Sequence, residues 1–224
     1  ISAQMLFPYE IQDSKASLVS ASIMKDRYPK AWAHLNENKS ALMGRERGKW
    51  QHSQWYAFGR SQNLSQMYAP KLIIQVTAQR PTVLYDDVGL YMTGGGSGPF
   101  YGIRPKGGTV PILYLLGVLN STLFGWMIKQ QSTNLRGGYI KFSKQYIEKA
   151  PIPVPAKKDA DQMVTLVTSM LTLQKQLASA VSEAQRTVLE RQIAATDAEI
   201  NRLVYGLYGL TAEEITLVEA ETKK

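Results

Sequence analysis

The 224-residue chain has no cysteine, which removes disulfides and thiolate metal sites and suits a reducing cytoplasm. Histidine occurs only at His34 and His52, too few for a zinc site without carboxylate help, so both are expected at surface or structural positions. The longest apolar run, residues 112–128, is interrupted by Gly117, Asn120, Ser121, Thr122 and Gly125. It is shorter than the roughly 20 apolar residues of a membrane span, so no membrane partner is expected. No two of the ten prolines are adjacent, and no GK[ST] follows any glycine cluster. The N-terminus has no signal-peptide pattern, and a start at Ile1 rather than Met suggests a piece of a larger protein.

Negative charge is also scarce, and unevenly so. The formal net charge is +8. Residues 1–110 carry 13 Lys/Arg against 7 Asp/Glu, and residues 111–158 carry 7 against 1. Residues 159–224 reverse the balance, with 6 against 10. A basic body with an acidic tail is what a polyanion binder presents, although ordinary solubility charge gives the same total.

The hydrophobic pattern predicts an α+β body, with a mixed or antiparallel sheet and flanking helices, followed by a C-terminal antiparallel helical hairpin. We place the boundary between residues 1–155 and 156–224. Pro29 suits a first helical position, with Trp32, Leu35, Leu42 and Arg45 at helical spacing behind it. Lys39, Arg45, Arg47 and Lys49 crowd the end of that helix, where cations meet the negative end of its dipole. Residues 71–77, 82–85 and 100–103 read as strands, with a turn at Asp86-Asp87-Val88-Gly89 leading into Leu90-Tyr91-Met92. Pro151, Pro153 and Pro155 force an extended connector. Two long helices follow, with stripes at Met163, Leu166, Val167 and Met170 and at Ile193, Ile200, Leu203 and Val204. Gly209 stops the second helix, and Thr211-Ala212-Glu213-Glu214 forms a capping box for a short terminal one.

Three constellations bear on chemistry. The glycines at 94–98 lead into Pro99 and a strand rather than a helix, so they read as a hairpin loop, not a nucleotide cradle. Between residues 50 and 71, Trp50, Trp55, Tyr56, Arg60, Gln62, Asn63, Tyr68 and Lys71 interleave aromatics, amides and cations. That mixture suits base edges and phosphates, and equally suits an aromatic core with a solvated face. Residues 132–144 place Asn134, Arg136, Lys141 and Lys144 around two glycines, which suits close approach to phosphate or a plain solvated loop. Asn120 lies in an apolar helix and reads as a buried structural amide or cap.

These segments occur in a telling order: Phe7-Pro8-Tyr9-Glu10, Tyr28-Pro29-Lys30-Ala31-Trp32 with Lys39, Trp55-Tyr56-x-x-Gly59-Arg60-x-Gln62-Asn63, Leu119-Asn120-Ser121, Ala150-Pro151-Ile152-Pro153, and the stretch 204–214. Together they resemble the C-terminal target recognition (specificity) domain of TaqI-like and type IIG restriction-modification DNA adenine-N6 methyltransferases. The resemblance implies a non-catalytic DNA-reading domain whose partners are double-stranded DNA and the parent's methyltransferase domain. It implies no cofactor in this chain, with S-adenosylmethionine held in the parent's catalytic domain. DNA contacts are expected at Arg60, Asn63, Arg104, Lys106, Arg136, Lys141 and Lys144. Arg60 and Arg136 are expected to read bases, and the lysines to hold phosphates. Adenine-N6 enzymes carry an Asn/Asp-Pro-Pro-Tyr/Phe motif, which a chain without adjacent prolines lacks. The one nuclease-like pattern, Glu221-Thr222-Lys223, sits in a terminus expected to fray. The alternative is a type I-like specificity and assembly module that joins subunits through its helices.

Overall fold

The computed structural model describes residues 5–90, 99–107 and 110–222. The glycine loop at 94–98 and the expected Tyr91-Met92 segment lie outside the described residues. The chain forms two compact units, residues 1–69 and 70–224.

In the first unit, β1 (Tyr9–Gln12) and β2 (Lys15–Leu18) form an antiparallel hairpin with Ile11 opposite Ala16. Its two turn residues, Asp13 and Ser14, have φ of 48° and 60°. Both central positions of a two-residue hairpin of this kind require positive φ, and Asp tolerates it better than most residues. Helix α1 (Ala21–Arg27) starts at Ser20, whose hydroxyl accepts from the Ile23 N–H. Pro29 does open a helix, α2 (Pro29–Glu37), but the single helix expected through Arg45 is broken at Asn38. There the Asn38 amide donates to the His34 carbonyl at 2.9 Å, satisfying one carbonyl at the helix end. The chain resumes as α3 (Lys39–Gly48), in which Arg45, Glu46 and Arg47 depart from helical geometry. Val19, Met24, Leu35, Trp55 and Tyr56 form the core of this unit. Trp32 packs edge-on against Tyr56 and tilted against Trp55, so Trp55 is a packing residue.

The second unit is built on two small antiparallel sheets. Strands β3 (Lys71–Gln75), β5 (Val83–Asp86) and β6 (Phe100–Ile103) form one, in the order β5-β3-β6. Strands β4 (Thr77–Ala78), β7 (Asn134–Leu135) and β8 (Tyr139–Lys141) form the other, in the order β4-β8-β7. The alternating side chains Leu72, Ile74 and Val83 turn one face of the first sheet into the core. The apolar run lies in that core as two helices, α4 (Ile112–Asn120) and α5 (Thr122–Gln131), bent by 64° at Ser121. Among the described residues no single helix is long and apolar enough to cross a membrane, and the apolar side chains Tyr114, Leu119, Phe124 and Ile128 are spent on the core.

Ser121 rather than Asn120 is the cap: its hydroxyl accepts from the Phe124 N–H at 3.2 Å. Asn120 is structural but exposed rather than buried. Its Oδ1 accepts from the Val83 N–H at 3.0 Å, and its Nδ2 donates to the Val83 carbonyl at 3.0 Å, so its amide replaces a strand along β5.

After the short α6 (Lys144–Ile147) and an extended connector, α7 (Lys157–Ala178) and α8 (Glu183–Tyr208) form the expected hairpin. Their stripes (Met163 and Val167, Ile200 and Val204) enter the same core as Leu72 and Phe124. At Gly117 a Cβ would sit 2.4 Å from Met163 Sδ, so the missing side chain lets α4 and α7 approach. Gly209, with φ of 68°, ends α8. Thr211 and Glu214 cap α9 (Ala212–Thr222) reciprocally, each side chain accepting from the other's N–H. The α9 end is tied rather than frayed: Glu221 accepts through its carboxylate from Trp126 at 2.7 Å and Gln130 at 2.9 Å, and through its carbonyl from Lys129.

Candidate nucleic-acid interface

The two sheets of the second unit are joined by a single residue. Gln75 ends β3 and pairs with Phe100, Thr77 begins β4 and pairs with Lys141, and between them Val76 is buried. Val76 bonds to both sides: its N–H donates to the Pro99 carbonyl at 2.9 Å, and its own carbonyl accepts from the Phe142 N–H at 2.7 Å. Because side chains alternate along an extended chain, Gln75 and Thr77 share the face opposite Val76. Where the sheets part on that face they leave a cleft of about 740 Å³. Gln75 and Thr77 line it with Lys141, Ser143, Lys144 and Gln145. Pro99 and Tyr101 close the β6 side, and Glu148 lies on the α6 side.

The structure thus brings Lys141 and Lys144 together. Both are exposed, and Lys144 makes a surface ion pair with Glu148 at 3.4 Å. Arg136 is exposed on the turn between β7 and β8, where Gly137 and Gly138 adopt positive φ. Gln79 Nε2 fastens that turn by donating to the Gly137 carbonyl at 3.0 Å. What the sequence suggested as a basic loop is therefore a short β-ribbon with a cation at its tip. Arg104 and Lys106 are exposed, but they follow the far end of β6 from Phe100. At about 3.3 Å per residue, Arg104 lies roughly 10 Å along the strand from Tyr101 at the cleft wall.

Arg60 and Asn63 belong to the first unit and are also exposed. Arg60 Nη1 bonds to Glu46 Oε1 at 3.3 Å and to its own neighbour's carbonyl, Gly59, at 3.0 Å. Asn63 takes a left-handed conformation, φ 60°, at the head of the 3-10 turn Leu64–Gln66. The residue that shapes this loop is Arg45, expected only as a helix-end cation. Its Nη2 donates to the carbonyls of Trp55 at 2.7 Å and Ala57 at 2.9 Å, its Nε donates to Leu42, and its guanidinium lies 4.6 Å over the Trp50 ring.

Lys71 needs the opposite correction. Grouped by its sequence neighbours with cations that could meet DNA, it is only 2% exposed and paired with Asp86, which is 3% exposed. Asp86 also accepts from the N–H groups of Val88, Gly89 and Leu90, building the expected turn. Burial pushes the Asp86 carboxyl up, but hydrogen bonds from Lys71 and the backbone, with the Lys71 charge, outweigh it and hold the group below its ordinary 3.8.

The α6 wall of the cleft leads into the proline connector, which is held at two carbonyls. Tyr114 donates to Pro153 at 3.0 Å, and Tyr208 to Pro151 at 2.6 Å. Burial pushes both phenols up to about 12, aided by Asp159 at Tyr114 and by Tyr114 at Tyr208. These two bonds anchor the connector to α4 and α8.

An α+β domain with an exposed basic ribbon and an open, amide-lined cleft is of the kind that reads a polyanion. Residues 15–152 match the TaqI-like C-terminal specificity domain, and the chain belongs to that family. Its role is DNA target recognition in restriction-modification systems of the TaqI-like kind. The match ends at residue 152, so helices α7 to α9 lie beyond it while sharing the core of the second unit.

Proposed function

We propose that this chain locates the target sequence for an adenine-N6 DNA methyltransferase, with or without a fused endonuclease, in the cytoplasm. A catalytic domain outside these residues binds S-adenosylmethionine and methylates the adenine it flips out of the duplex. The chain itself holds no cofactor and does no chemistry. The observation that carries this reading is the cleft flanked by Lys141 and Lys144, with the β7–β8 ribbon beside it. A two-stranded ribbon fits the DNA major groove, which puts Arg136 in position to reach a guanine edge. Lys141, Lys144, Lys106 and Arg104 hold phosphates, and Arg60 and Asn63 supply contacts from the first unit.

The test is methyl transfer by this domain joined to its catalytic domain. N6-methyladenine at one defined sequence is expected; methylcytosine, or methylation without sequence preference, contradicts the reading. Arg136→Ala should weaken binding and relax preference at one position. Unchanged affinity and preference would remove Arg136 from the readers.

A second reading, a type I-like assembly module, is favoured by one observation: Val181 and Val188 lie exposed at the distal end of the α7–α8 hairpin. Light scattering tests it: a species larger than 25.0 kDa from the purified chain favours the assembly reading.

A further inference from the structure

The cleft holds two groups that residue type and sequence order did not single out. Gln75 and Gln145 both line it, both are exposed, and neither side-chain amide has a hydrogen-bond partner among the described residues. They come from distant parts of the chain and share the cleft because Thr77 pairs with Lys141. A glutamine amide offers one acceptor and two donors, the set that bonds bidentately to adenine N6 and N7 in the major groove. Here that set sits on the last residue of β3 and within the short helix α6 rather than on a loose loop, so the backbone that carries each amide is already ordered. Lys141 and Lys144 stand on the same cleft, where a backbone phosphate would have to lie if a base edge entered it. The hydroxyls of Thr77 and Ser143 complete a polar lining that carries no sequence information of its own.

We infer that Gln75 and Gln145 determine specificity at adenine-containing positions of the target, with Lys141 and Lys144 holding the adjoining phosphates. The inference rests on the DNA-reading function proposed above and names the residues that carry it out in this cleft. It predicts a change of base, not merely a loss. A glutamate in place of the glutamine keeps the length but only accepts, and the base edge that meets a pure acceptor is the cytosine N4 amino group. The same substitution at a merely solvated glutamine would leave the selected bases alone.

The experiment is selection of bound duplexes from a randomised DNA library by the full chain and by Gln75→Glu and Gln145→Glu, with thermal melts confirming folding. The wild type should select a motif containing A·T positions. Each variant should lose between about fivefold and 150-fold preference at one of them, and shift it toward C·G. The salt slope of the Gln75→Glu and Gln145→Glu proteins should stay within one unit of the wild type, whereas that of Lys141→Ala/Lys144→Ala should fall by about two. Folded variants that select the wild-type motif unchanged would overturn the glutamine assignment and leave the DNA-reading function standing. A wild type that binds duplex DNA but selects no motif, or does not bind even with the catalytic domain added, would overturn that function and the assignment with it.

Discussion

Strand β3 begins and ends in opposite physical circumstances. At its first residue, Lys71 is buried against Asp86, which three further N–H groups satisfy. At its last, Gln75 is exposed on an open cleft with its amide unengaged among the described residues. By residue type Lys71 is the better candidate for a DNA contact, yet the structure commits it to holding the β3–β5 end together. A buried charge cannot also be offered to a phosphate, because removing it from its partner would leave both uncompensated. The polar group available for recognition is the exposed one, Gln75.

The largest effect should come from breaking the closed end. Asp86→Ala removes the Asp86 carboxylate from the buried Lys71 ammonium and should cost about 3–5 kcal/mol of stability, read by denaturant unfolding. Asp86→Asn should also flatten the acid limb of the stability profile. A carboxyl held below its ordinary value contributes stability above pH 3.8 that is lost as pH falls through the depressed value. A wild-type stability that stays flat as pH falls below 3.8 would contradict this account of the pair.

Breaking the open end should do the reverse. Lys141→Ala/Lys144→Ala should leave the melting temperature nearly unchanged, since both side chains are exposed and the one ion pair, with Glu148, is a surface one. It should weaken DNA binding and lower the slope of log affinity against log salt by about two. A large stability loss without a change in salt slope would make these lysines structural.

The anchoring of the proline connector can be tested separately. Tyr114→Phe removes the bond to the Pro153 carbonyl and should cost about 1 kcal/mol. The two phenols add a basic limit: with folded values raised from 10 to about 12, their contribution is complete below pH 10 and lost as pH rises through 12. A Tyr114→Phe/Tyr208→Phe protein should lose less stability over that interval than the wild type. The smallest effect is expected in the first unit. Glu46→Gln frees Arg60 from an exposed ion pair and should raise DNA affinity by no more than about fivefold, with little change in stability.

Much of the architecture was legible because it is local. The strands expected at 82–85 and 100–103, the first part of the one expected at 71–77 (which the structure divides at Val76 between β3 and β4), the Gly209 stop, the Thr211–Glu214 capping box and the α7 and α8 stripes each follow from a few neighbouring residues. The hairpin of β1 and β2 was missed because its turn is Asp-Ser rather than a glycine pair. The ribbon of β7 and β8 was taken for a loop because its strands are shorter still, and its pairing is completed by β4 from a distant part of the chain. The breaks at Asn38 and Ser121 hide inside helical periodicity, although Ser121 carries the chemistry of a cap. The fates of Lys71 and Arg45 depend on partners brought by folding, Asp86 in one case and the Trp55 and Ala57 carbonyls in the other. The cleft was illegible for the same reason, since no local signal joins Gln75 to Gln145.

The most direct test is binding of the chain to random-sequence duplex DNA across a salt series, with an acidic polymer that is not a nucleic acid as the control. The account predicts affinity that falls steeply and linearly with log salt, and a clear preference for DNA over the polymer. Equal binding to both, or no DNA binding at low salt even with the catalytic domain added, would contradict it.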